Sequence, residues 1–146
     1  MRKLLFGCLL VLVLSCASSF AQGGGQGFPR VVGRWKFLKQ TTNIAPVILY
    51  TPPNGGIYRV TFVEETTIAN GEPNPFWYGG VSWTNELGQN PATGIYLITQ
   101  IPYSTSSTAA MRVAKGTPII FSTSSHQDTS GAQYNIYVVL EEIEPL

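Results

Sequence analysis

The feature that most constrains this chain is the alternation across residues 132–140, Ala-Gln-Tyr-Asn-Ile-Tyr-Val-Val-Leu. Tyr134, Ile136, Val138 and Leu140 share one parity, and Asn135, Tyr137, Val139 and Glu141 share the other, which is the period of a strand with one buried face. A strand of this length needs neighbours, because an isolated ribbon leaves its amides and carbonyls unpaired. Tyr137 and Val139 make the second face apolar as well, so this is expected to be a central strand with Tyr137 and Val139 at a subunit interface. The acidic residues Glu141, Glu142 and Glu144 are expected to end it.

Residues 1–21 stand apart from any fold. Arg2 and Lys3 precede the apolar run of residues 4–14, and Ser19-Phe20-Ala21 puts small residues before Gln22, the pattern of a cleaved signal peptide. The run is about half the ~20 residues that span a bilayer, so no membrane span is expected. Cleavage after Ala21 gives a secreted or periplasmic protein; the competing reading is a lipoprotein anchored at Cys16, since Val13-Leu14-Ser15-Cys16 resembles a lipobox. Both cysteines, Cys8 and Cys16, lie in this leader, so no disulfide is expected. The remaining ~125 residues are enough for one modest core. Residues 22–29, with four glycines, read as a flexible tether, and residues 30–146 as a single domain.

Along that domain, further strands are expected at residues 30–39, 44–51, 56–65, 76–84, 94–101, 109–113 and 117–123. Asn54-Gly55 is the strongest short hairpin signal, residues 66–75 are long enough to cross between sheets, and Gly79-Gly80 marks a bulge or a close approach. Residues 103–108 read as a Ser/Thr-rich connection and residues 124–131 as a hairpin loop. About eight short strands without helical periodicity point to an all-β fold, an antiparallel β-sandwich of jelly-roll type.

Residue chemistry narrows the function. Lys and Arg nearly balance Asp and Glu, which excludes an electrostatic footprint for nucleic acid. His126 is the single histidine and Asp128 the single aspartate; two residues apart on a loop, they read as turn formers rather than triad members. No zinc or calcium ligand spacing is present, so no metal or cofactor is expected. Paired glutamates remain a weak route to glycoside hydrolysis, with Glu64-Glu65 and Glu141-Glu142 read as solvated strand ends. No catalytic residue is assigned. Aromatic side chains are the stronger lead: Trp77, Tyr78 and Trp83 are candidates for stacking on a polysaccharide, against the alternative that they fill a core or interface.

Two stretches carry a family resemblance. Leu49-Tyr50-Thr51-Pro52 leads through Asn54-Gly55-Gly56 to Ile57-Tyr58-Arg59-Val60-Thr61-Phe62, and Gly116-Thr117-Pro118-Ile119-Ile120 leads to the strand from Tyr134 to Glu141. Their order resembles that of complement-type globular heads and tumour-necrosis-factor-like jelly rolls. Gly116-Thr117 departs from the family's usual Gly-Asp pair. The resemblance implies a compact head that forms homo-oligomers, trimers first, for adhesion or display. The expected function is an exported, non-catalytic structural or interaction module that self-associates, with carbohydrate binding as the alternative.

Overall fold

The computed structural model describes residues 29–71, 76–98, 103–126 and 128–145. The leader, both cysteines and most of the tether lie outside them. Eight strands follow in order: β1 (Arg30–Gln40), β2 (Val47–Tyr50), β3 (Gly56–Ile68), β4 (Phe76–Ser82), β5 (Ala92–Ile98), β6 (Ser104–Val113), β7 (Ile119–His126) and β8 (Gln133–Pro145). They form two four-stranded sheets. Sheet A has the order β1-β8-β3-β6 and sheet B the order β2-β7-β4-β5, and every pairing is antiparallel. Among the described residues there is no helix. The architecture is a jelly-roll sandwich.

Period-two alternation decides which side chains meet between the sheets. In β3, Tyr58, Val60 and Phe62 point inward; in β8, Tyr134, Ile136, Val138 and Leu140 do so, and all seven are essentially inaccessible. Sheet B answers with Trp77, Val81, Ile119 and Phe121. Phe121 sits at the middle, stacked on Phe37 with ring centroids 5.1 Å apart and lying 6.2 Å from Phe62. A buried polar chain crosses the same seam. The Ile44 amide donates to Thr123 Oγ1 over 2.6 Å, the Thr123 and Tyr134 hydroxyls lie 3.0 Å apart, and the Tyr134 hydroxyl donates to the Thr42 carbonyl over 2.8 Å. The β1–β2 connection is thereby tied to both sheets.

Several local expectations are overturned. Asn54-Gly55 does not close a hairpin, because β2 lies in sheet B and β3 in sheet A. Gly55 takes φ +67°, where a Cβ would fall 3.0 Å from the Val113 carbonyl oxygen, and the Pro52 carbonyl accepts the Gly116 amide at 2.8 Å. The prolines and the glycine make a crossing packed on the β6–β7 turn, not a return within one sheet. Residues 104–108 are strand rather than connection, since they pair in unbroken register with Glu65 through Thr61 of β3. Residues 124–126 extend β7 opposite Tyr78, Trp77 and Phe76. The acidic run does not end β8: Glu141 accepts from Arg59 at 2.7 Å and Glu142 from Arg30 Nε at 2.8 Å, so basic groups on both flanking strands carry the ladder past Leu140. Gly79-Gly80 introduces no bulge, because β4 keeps continuous register with both neighbours.

Phe121→Ala removes the ring that both sheets pack against and is expected to cost about 3–5 kcal/mol in guanidinium unfolding, with the cavity term included. A loss under about 1 kcal/mol would mean that the centre of the core lies elsewhere.

Candidate functional site

The outer face of sheet B carries the densest outward-facing aromatic cluster among the described residues. Successive residues of β4 point to opposite sides, so Trp77, Gly79 and Val81 go into the core while Phe76, Tyr78, Gly80 and Ser82 face out. Register then sets the neighbours. Tyr78 lies between Tyr96 of β5 and Ser124 of β7, Phe76 lies beside His126, and Gly80 lies between Gly94 and Ser122.

The two glycines give this face its shape. A Cβ on Gly80 would come within 2.9 Å of the Tyr78 ring, and one on Gly94 within 2.6 Å. The ring of Tyr78 therefore lies across both backbones, which only residues without side chains allow at this distance. Tyr96 stands next to it with centroids 5.0 Å apart and planes at 54°, and is 61% exposed. Phe76 meets Tyr96 edge-on at 5.2 Å and stacks on His126 at 4.9 Å. One ring forms a floor and its neighbour forms a tilted wall.

The sequence-derived candidates divide. Trp77 is a correction: it is wholly buried against Tyr134, with centroids 4.2 Å apart, so it is a core residue and cannot present a face to a ligand. Its parity with Gly79 and Val81 puts it on the inner side of β4. Tyr78 is half-buried on the outer face. Trp83 is half-buried, packs against the core, and lines a cleft of about 200 Å³ with Ser82, Thr84, Asn90, Pro118 and Ile120. Since Ser82 and Ile120 are register partners on the outer side of sheet B, this cleft adjoins the aromatic face. Tyr96, Phe76 and His126 are the residues that sequence reasoning missed here. The signal was their parity, but it becomes a cluster only once the pairings among β4, β5 and β7 are known.

Tyr137 and Val139 lie on the outer face of sheet A, on strand β8. Tyr137 is opposite Val63 and Lys36, and Val139 opposite Thr61 and Arg34. With Val63 39% exposed, they make a small apolar patch with a basic margin on β1.

Titratable groups are dispersed. Among the described residues no three His, Cys, Asp or Glu side chains gather as a metal site would require. His126 stacks on Phe76, whereas the Asp128 carboxylate is taken by the Ser130 amide at 2.8 Å and by its hydroxyl, which holds its pKa below the ordinary value. Glu64 is a second correction: instead of a solvated strand end it is wholly buried on the inner face of β3, with no hydrogen-bond partner for either oxygen among the described residues, and burial pushes its pKa up to about 8.

No protein-family model matches the chain, and no curated protein matches it. Solved structures do. The CBM22-1 xylan-binding domain from Paenibacillus barcinonensis Xyn10C is 8% identical over 86% of this chain and 85% of that one, with a TM-score of 0.44. A family 16 carbohydrate-binding module is 16% identical over 81% of this chain and 75% of its own, at 0.41. Eiger TNF from S. frugiperda is 13% identical over 77% of this chain and 93% of that one, at 0.35. These are distant likenesses.

Trp77→Ala is expected to cost about 3–5 kcal/mol in chemical unfolding, and Tyr96→Ala less than about 1 kcal/mol. Equal losses would show that the two sides of sheet B are not divided into core and open face.

Proposed function

We propose that the protein is an exported, non-catalytic β-sandwich module that binds neutral carbohydrate on the outer face of sheet B. The observation that carries this reading is the ring of Tyr78 laid on the Gly80 and Gly94 backbones beside the exposed ring of Tyr96. A pyranose has an apolar C–H face and a rim of hydroxyls. A flat aromatic ring desolvates the first, while Ser122 and Ser124 on the neighbouring strand stand where they can meet the second. His126 is the one titratable group other than the two tyrosines in the cluster, so the face suits a neutral polymer better than a polyanion. The 54° between the Tyr78 and Tyr96 planes fits a single, bending chain; a crystalline polysaccharide surface would ask for coplanar rings. Export rests on the leader-like residues 1–21.

Retention on soluble xylan or β-glucan in affinity electrophoresis tests this. Wild type is expected to be slowed, and Tyr96→Ala to weaken binding roughly tenfold, the effect of losing a central aromatic contact, with its unfolding midpoint nearly unchanged. No retention on any neutral soluble polysaccharide would remove the reading.

A second reading, self-association as a structural or interaction module, is favoured by the contiguous Val63, Tyr137 and Val139 on sheet A. The surface lies on the two middle strands, where a second copy would cover the most apolar area. Sedimentation of the purified chain is expected to give a homo-oligomer, a trimer by the resemblance, and Tyr137→Glu to give monomer. A folded Tyr137→Glu with unaltered assembly would place any interface elsewhere.

A further inference from the structure

The carboxyl group of Glu64 is the least explained feature of the core. It follows Tyr58, Val60 and Phe62 on the inward parity of β3, its exposure is 0%, and neither oxygen has a hydrogen-bond partner among the described residues. Room for it comes from Gly79 of β4: any Cβ at that position would collide with Glu64 Oε1, and Ile136 of β8 closes the notch from the other sheet. The nearby registers bring Thr105 from β6, Tyr134 from β8 and Thr123 from β7. None of these is charged, and Tyr134 is the one titratable group, itself held neutral by burial to higher pH than usual. Burial alone accounts for the raised pKa of Glu64, which is about 8 against an ordinary 4.5.

This notch lies directly behind the aromatic face. Gly79 stands between Tyr78 and Gly80 in the chain, so the strand segment that accepts the carboxyl on its inner side carries the tyrosine floor on its outer side. A neutral carboxyl can stay in such a seam. An ionised one there is shut off from bulk solvent and faces no counter-charge among the described residues, and its desolvation is among the larger penalties a core can carry.

We propose that Glu64 is a proton-dependent prop beneath the aromatic face: neutral, it fills the Gly79 notch and holds β4 in place; ionised, it leaves the notch, shifts β4 and dismantles the Tyr78 floor. The link to ligand rests on the carbohydrate reading; the movement of β4 does not. The direction follows from proton linkage. The unfolded chain releases this proton near pH 4.5 and the folded chain near 8, so the folded state binds more protons in between. The contribution of Glu64 to stability is therefore greatest below about pH 5, falls as pH rises towards 8, and levels off above it.

The experiment compares full-length mature wild type with Glu64→Gln from pH 5 to 9.5. The first readout is intrinsic tryptophan fluorescence, since Trp77 packs on Tyr134 beside the notch; the second is the urea midpoint. Wild type is expected to show a fluorescence transition centred near pH 8 and a folding equilibrium constant that drops by up to roughly tenfold per pH unit between about 5 and 8. Glu64→Gln is expected to show neither. Wild type with no transition, or Glu64→Gln with the same one, overturns the proposal. Should Glu64→Gln not fold, the carbon-13 carboxyl resonance of Glu64 in wild type decides: titration near pH 8 supports the prop, and titration in the ordinary carboxylate range overturns it. In the ligand arm, retention on soluble xylan at pH 6.5 is expected to be lost at pH 9 in wild type and kept in Glu64→Gln. Equal wild-type retention at both pH values overturns the coupling. Absence of retention at both pH values sinks the carbohydrate reading, and the fluorescence and carboxyl titrations still decide the role of Glu64.

Discussion

The structure depends on apolar burial between two sheets that no disulfide joins among the described residues. The described residues contain no cysteine, so the sandwich is held by the fit of inward side chains, and that fit is made repeatedly from large groups set against glycine. The Trp35 indole lies over Gly33, the Tyr58 ring over Gly56 and the Glu64 carboxyl over Gly79. Each pairing lets a bulky group lie close to a strand without prising the sheets apart. The same device works on the outside, where Tyr78 covers Gly80 and Gly94. Glycine placement thus shapes both the core and the candidate binding face.

Much of the fold was legible because period-two alternation is a local signal. The strand centred on Ile136 and the one running through Tyr58, Val60 and Phe62 could be read directly, as could the all-β class and the crossing after residue 66. What could not be read depends on partners distant in sequence. Asn54-Gly55 carries a hairpin signal, yet whether two strands share a sheet is settled by what else they pair with. Ser104 to Thr108 look like a connection until the long strand β3 supplies the ladder that orders them. Glu141 and Glu142 look like a terminus until Arg59 and Arg30 arrive beside them.

The candidate site was less legible than the fold for a related reason. Alternation separates Trp77 from Tyr78 but does not say which of them faces water. Trp77 stacks on Tyr134 inside, while Tyr78 meets Tyr96 outside, and both outcomes are consistent with the sequence until the sheets are assembled. Glu64 is the opposite case. Its inward parity is visible in β3, but a carboxylate is so costly to bury that the sequence alone points to a solvated strand end there. The aromatic face and the buried acid prove to lie on opposite sides of β4, the acid reaching Gly79 from β3 of the other sheet.

The topology also bears on how the domain is made. Apart from the β4–β5 hairpin, every connection passes from one sheet to the other, and β8 is the middle partner of both β1 and β3. The first strand and half the inner wall of the core therefore wait for the last strand to arrive. Chains dominated by such distant pairings fold slowly, on the order of milliseconds to seconds, and no shorter N-terminal piece reproduces the closed sandwich. A nascent chain of this kind remains open until β8 has been made, so closure of the sandwich follows synthesis of its other seven strands.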